Sequence, residues 1–159
     1  MKSPIRLNGM LIQSKIKNGV ALERIDPDAA TQDAANWTSA SETVGYGTPG
    51  YQNSQYKDAS SGGATGIEPP VWIEESGSYT VSYLLDRPGY SCRAFVFNTS
   101  GLRVADISNH ELLGISGKIT WSGVANNGSP LQTGVYIFYA EIYHPEGTVK
   151  RFKKAFLIR

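Results

Sequence analysis

Alternation of apolar and polar side chains is strongest in the second half of the chain. Residues 78–85 (SYTVSYLL) set Tyr79, Val81 and Tyr83 on one face, and residues 91–97 (SCRAFVF) set Cys92, Ala94 and Val96 against Arg93, Phe95 and Phe97. Side chains switch sides at every residue of a strand, so a period of two predicts strands and assigns their faces. A third strand is expected over 102–107, joined to the second by the turn Asn98-Thr99-Ser100-Gly101, and a short one over 118–121 (KITW). Asn127-Gly128 sits in a loop, 123–131, and suits a tight turn. Residues 134–143 (GVYIFYAEIY) are apolar on both faces through Phe138, which predicts a strand in the middle of a sheet whose second face is also covered. Gly134 at its start is expected to need a positive φ. His144-Pro145-Glu146-Gly147 turns the chain into a last strand, 148–158. There Phe152, Phe156 and Ile158 share a face with Lys154, so a bulge near Lys153-Lys154 is expected to bring Ala155 and Leu157 to the core.

The first half is less regular. Residues 20–25 (VALERI) form a short alternating strand, and the Ala-rich 26–37 reads as a loop, with a single helical turn as the alternative. Residues 36–56 (NWTSASETVGYGTPGYQNSQY) are rich in aromatics and turn formers. Residues 57–66 (KDASSGGATG) read as a flexible linker that divides the chain near Ser60. Most large apolar residues follow it, among them Val71, Trp72, Ile73, Phe95, Phe97, Trp121, Tyr136, Phe138 and Phe156. Each contributes about 1.5–3 kcal/mol when fully buried, enough together for a small sandwich. The block before the linker is too short and too polar to fold alone, so it must pack on something or be part of something larger.

Composition narrows the class. Charged residues make up only 18% against 40% hydrophobic, which argues against a solvated helical or disordered chain. The 17 Gly and 9 Tyr fit strands joined by tight turns. With 15 basic and 14 acidic residues the net charge is +1, so nothing attracts nucleic acid over a distance. The cluster Lys150, Arg151, Lys153, Lys154 reads as an edge strand guarded by lysine. Cys92 is the single cysteine, which rules out an internal disulfide and a Cys/His zinc cluster and leaves a small buried hydrophobe. The start of the chain has no signal-peptide core, and no run approaches the ~20 apolar residues of a membrane span.

Candidate chemistry is sparse. His110 lies in a polar stretch read as a loop and His144 in a turn, neither with a second His at metal spacing. Glu23, Asp26, Asp28 and Asp33 cluster in sequence, but glycoside hydrolysis would need two carboxylates facing each other at roughly 5–10 Å. The chain is therefore read as non-catalytic, with no cofactor and no metal. Trp37, Tyr46 and Tyr51 are the candidate ligand platform, because aromatic rings stack on sugars; the competing reading is that they cover apolar surface.

Two segments resemble known families. Leu22-Glu23-Arg24-Ile25, Pro27, Asn36-Trp37, Thr48-Pro49-Gly50 and Asn53-Ser54 resemble the C-terminal end of the lamin-tail-like domains of large secreted bacterial proteins. Earlier strands of such a domain are missing, which suggests a C-terminal piece of a longer protein. Pro88-Gly89-Tyr90, Gly101-Leu102-Arg103-Val104, 117–123 (GKITWSG), Gly134-Val135-Tyr136-Ile137 and Gly147-Thr148-Val149-Lys150 look like the Ig-like domain of flagellar hook-capping proteins, over 79–159. Relatives usually carry an Asp-rich stretch before the first strand and an Asp after the Trp; here the stretch is 68–79 (EPPVWIEESGSY) and Ser122 follows Trp121, so no calcium role is carried over.

The resemblances imply an all-β chain: a lamin-tail-like remnant over 1–56, partly irregular, a linker over 57–66, and an Ig-like antiparallel β-sandwich over 67–159. They imply a secreted or cell-surface bacterial protein. The expected function is a structural or adhesive module that spaces, anchors or docks, its partners being neighbouring domains or another surface protein. The alternative is a carbohydrate-binding module whose partner is a polysaccharide. No nucleic acid and no membrane span are expected.

Overall fold

The computed structural model describes residues 19–56 and 64–159. Most of the expected linker lies outside the described residues, as does the start of the chain. Ten strands follow in order: β1 Leu22–Arg24, β2 Trp37–Ser39, β3 Gly66–Ile67, β4 Val71–Ile73, β5 Ser78–Leu84, β6 Ser91–Phe97, β7 Arg103–Leu112, β8 Ser116–Trp121, β9 Gly134–Tyr143 and β10 Val149–Ile158. Single 3-10 turns at Ala34–Asn36 and Glu42–Val44 are capped by the Asp33 and Ser41 side chains.

Two antiparallel sheets make the sandwich. One runs β10-β9-β6-β7; in the other, β5 pairs with β8 on one edge and with β3 and β4 on the other. Between them lie Tyr79, Val81 and Tyr83 of β5, Ile119 and Trp121 of β8, Cys92, Ala94 and Val96 of β6, Phe138, Ala140 and Ile142 of β9, and Phe156 and Ile158 of β10. For β5 and β6 these are the rows that the alternation groups on one face, whereas on β10 Phe156 and Ile158 face inward in place of the expected Ala155 and Leu157. Tyr79, Trp121 and Phe156 form an aromatic knot with centroids 5.5 to 6.3 Å apart. The Trp121 indole N–H is satisfied by Val124 O at 3.0 Å.

Several expectations are corrected. The β9–β10 ladder runs unbroken from Val149↔Tyr143 to Ile158↔Gly134, so no bulge occurs at Lys153-Lys154. Ala155 and Leu157 stay exposed, and Lys150 and Lys154, half-buried, keep the inward parity. On an edge strand a long side chain reaches the rim with its charge. The Lys150 ammonium meets Asp86 Oδ1 at 2.9 Å and Thr65 Oγ1 at 2.7 Å. Register shifts fall instead between β6 and β7, at Cys92/Arg93, Ala94/Phe95 and Val96/Phe97. β7 runs on to Leu112, so His110 belongs to a strand and not to a loop. β9 lies inside its sheet as expected, between β6 and β10, but no second layer among the described residues covers its outer face, where Val135 is 53% exposed. Gly134 does not have positive φ, whereas Gly101, Gly128 and Gly147 in the turns do.

One sheet edge is capped. Asn126 donates its N–H to Val104 O at 2.9 Å and accepts the Asp106 N–H on Oδ1 at 2.8 Å, standing where a further strand would pair with β7.

Residues 19–56 pack on the sandwich through buried polar groups. Glu23, 3% exposed, accepts from Thr48 Oγ1 and Ser54 Oγ, each at 2.6 Å, and from the Gln55 N–H at 3.2 Å. A buried carboxylate is tolerable when its oxygens are satisfied in this way. Gln55, fully buried, donates Nε2 to Ser39 O at 3.2 Å and across to Leu113 O at 3.0 Å. Ser41 Oγ donates to Leu112 O at 3.1 Å, and the Ile115 N–H donates to Ser54 O at 3.0 Å. The approach is so close that a Cβ on Gly114 would stand 2.5 Å from Ser54 O.

Trp121→Ala is expected to lower stability by about 3–5 kcal/mol in urea titrations, as large core truncations do; a variant that melts like wild type would place Trp121 outside the core. Gly114→Ala should lift 19–56 off the sandwich at about 1–3 kcal/mol, seen as faster proteolysis within that segment while Trp121 fluorescence stays native. Unchanged proteolysis would refute the backbone contact. The Thr65 hydroxyl, and then Lys150, hold the Asp86 carboxyl well below the usual carboxylate range. Its stabilising contribution is therefore complete above an unfolded pKa of about 3.9 and is lost as pH falls through the folded value. Asp86→Asn should lower the Tm at pH 7, with the gap to wild type closing below about pH 4; a gap that persists into strong acid would count against the ion pair.

Candidate functional site

The pleat that buries Cys92, Ala94 and Val96 sends Arg93, Phe95 and Phe97 to the outer face of the four-stranded sheet. Register places Phe95 opposite Tyr139, Arg93 opposite Glu141 and Ser91 opposite Tyr143 on β9, and Glu141 opposite Arg151 on β10. Tyr139 stacks on Phe95 at 6.5 Å and meets Phe97 edge-on at 6.2 Å. Arg103 of β7 lies 3.8 Å above the Phe95 ring and pairs with Asp106. Phe95 is thus only 7% exposed although no second layer among the described residues covers it. Cation–π contact and same-face neighbours provide the shelter.

Glu141 ties the rows together. It accepts from Arg151 Nε at 2.7 Å, Tyr143 OH at 2.8 Å and Tyr139 OH at 3.2 Å. The Arg151 guanidinium, then the Tyr143 hydroxyl, lower its carboxyl below the ordinary range. Tyr143 is raised, by burial first and then by its bond to Glu141.

A shallow open pocket of about 330 Å³ ends this face, lined by Ser91, Arg93, His110, Tyr143, His144 and Pro145. His110 is the extra residue of the β6–β7 bulge, where Cys92 pairs with Glu111 and Arg93 with Asn109. Its φ of 64° lies in the left-handed region, a strain of order 1–3 kcal/mol for a residue with a Cβ. Its ring lies nearly parallel to Tyr143, 6.0 Å away at 19°. His144 stands on the other side, edge-on to Tyr90 at 5.1 Å, with Nε2 3.2 Å from Pro88 O.

The residues singled out from the sequence lie elsewhere. Trp37 is half-buried on β2 and donates its indole N–H to Thr31 O at 2.9 Å. Tyr46 has φ 68° and donates its hydroxyl to Glu42, a bond that raises the phenol's pKa. Tyr51 is 84% exposed in the turn closed by its N–H to Thr48 O. No ring–ring contact joins the three among the described residues. Of the clustered carboxylates, Glu23 is buried and saturated by donors, Asp26 accepts the Asp28 N–H and Asp33 caps a 3-10 turn. The thiol of Cys92 is fully buried, and burial pushes it up to about 12. Among the described residues no group of three or more His, Cys, Asp or Glu is placed to hold a metal ion, and no helix is long and apolar enough to cross a membrane.

The outer-face set is not read from the sequence, which counts Phe95 and Phe97 among the apolar residues that sustain the sandwich. SCRAFVF shows an Arg, Phe, Phe row opposite the core row, and aromatics on a solvent row are the available signal. Nothing in the spacing of His110 and His144 announces that a bulge and a turn bring them to one pocket.

No family model matches the chain, and no curated protein matches it. Among solved structures it is similar to FlgD from P. aeruginosa, with 18% identity and a TM-score of 0.42, over 54% of this chain and 65% of that one. It is also similar to PorZ, an essential bacterial surface component of the type-IX secretion system of Porphyromonas gingivalis, with 17% identity and a TM-score of 0.37, over 80% of this chain and 14% of that one. The chain thus spans just under two thirds of the first structure and a small part of the second.

Proposed function

We propose that this chain is a non-catalytic docking module of a secreted or cell-surface protein. Its outer four-stranded face would be the contact surface, and residues 19–56, the lamin-tail-like remnant, would fix the sandwich rigidly to whatever neighbours it. The observation that carries the reading is the outer-face set Phe95, Phe97, Tyr139, Tyr143, Arg93 and Arg103, ordered by stacking and cation–π contacts. Aromatics and arginine are the residue types that dominate binding energy at protein interfaces. Their side chains are held by one another, so little rotamer freedom remains to be lost on docking.

The carbohydrate-binding alternative is less well supported. It calls for two or three coplanar exposed aromatics. Trp121 is buried in the core, Trp37 is half-buried with its N–H engaged, and Trp72, 40% exposed on the edge strand β4, meets Tyr79 edge-on at 5.1 Å.

A photo-crosslinking phenylalanine at position 97 or 139, compared with one at the exposed Ser82 on the opposite sheet, tests the reading in the producing cells. A defined protein adduct from 97 and 139 but not from 82 is the expected result. Adducts from 82 alone, or retention on polysaccharide gels that substitution of Phe97 abolishes, would overturn it.

A further inference from the structure

Two of the three outer-face arginines are neutralised within the fold. Arg103 pairs with Asp106, and Arg151 with Glu141 at 2.7 Å. Arg93 has no carboxylate within ion-pair distance among the described residues. Its Nε–H is buried without an acceptor, and Nη1 reaches only the Tyr143 hydroxyl, at 3.5 Å. That hydroxyl already donates to Glu141 Oε2. The guanidinium otherwise leans on the Phe95 ring, 5.3 Å from its centroid. A half-buried guanidinium keeps most of its desolvation penalty until an anion pairs with it. Arg93 lines the pocket, so that anion can come from outside.

We propose that the pocket of Arg93, His110 and Tyr143 receives the carboxylate of an Asp or Glu side chain from a protein docked on the outer face, an inference that rests on the docking reading above. Two observations select a protein over an acidic sugar. The pocket is continuous with the Phe95–Tyr139–Phe97 cluster through Arg93, which spans both, so an acidic anchor and an apolar neighbour on one partner can be held together. His110 runs nearly parallel to the Tyr143 ring, 6.0 Å away, and so crowds the aromatic face on which a sugar would stack. The left-handed His110 is what puts a side chain there, since the bulge would be less strained with glycine.

The test is a titration of the ¹⁵N-labelled full chain at low salt with N-acetylglutamate N-methylamide, its glutamine counterpart and glucuronate, following Arg93 Nε–H, His110 and Tyr143. The glutamate probe should shift these signals saturably and bind about tenfold more tightly than the glutamine probe, as a charge-assisted pair requires. Arg93→Gln should remove that preference. His110→Gly should melt no lower than wild type, because strain is relieved, and still weaken the glutamate probe; unchanged binding in that variant would count against the proposed pocket. Tighter binding of glucuronate would assign the pocket to acidic sugars and overturn the proposal. An equal response to both amino-acid probes, or none, would overturn it as well. Such a failure beside productive crosslinks at 97 and 139 removes only the carboxylate anchor, whereas failure of both removes the docking reading.

Discussion

Strand parity is the constraint on which the rest of the molecule depends. The dry interior between the sheets requires Cys92, Ala94 and Val96 to face inward, and the same backbone then has no choice but to present Arg93, Phe95 and Phe97 to the other side. A shift of one residue would drive two phenylalanines and an arginine into the core and expose the small residues that let the sheets approach. The outer face is thus fixed by the packing behind it. Its aromatics are ordered by neighbours across the strands: Phe95 under Arg103, Tyr139 on Phe95, Tyr143 on His110.

Polar chemistry does for residues 19–56 what apolar burial does for the sandwich. The segment has few large side chains to bury; Ser41, Ser54 and Gln55 bond across to Leu112, Ile115 and Leu113, and Glu23 holds Ser54 and Gln55 in place from within the segment. Each such bond contributes only about 0.5–1.5 kcal/mol net, but a buried group deprived of its partner loses more. The arrangement is therefore weak in driving force and strict in geometry. The glycine at 114, where two backbones touch, shows the strictness directly.

How much of this was legible depended on whether a residue's partner was near in sequence. β5 and β6 were readable because alternation is a local signal, β9 because its apolar run is one too, and the turns at Asn98–Gly101 and His144–Gly147 because Asn, Pro and Gly act on their own backbone. The far half of β7 was not, because Ser108-Asn109-His110-Glu111 lie on an edge strand with a bulge, where polar residues are tolerated and the period is broken. The Lys153-Lys154 bulge was inferred from a parity conflict that an edge strand resolves by letting lysine reach the rim. The role of residues 36–56 was hidden because their partners stand in the β7–β8 connection. The pocket was hidden for the same reason: its members come from the start of β6, the end of β7 and the β9–β10 turn. Trp37, Tyr46 and Tyr51 stood out by residue type, but type alone does not bring rings together.

The cap on β7 has a consequence for assembly. Asn126 occupies the hydrogen-bonding positions at Val104 and Asp106 that another chain would use, while the opposite margin of that sheet, β10, has no comparable plug among the described residues. A sheet stoppered on one side and open on the other can accept a strand but cannot hand the pattern on. In a chain of modules joined edge to edge, such a unit would be a terminus rather than a link.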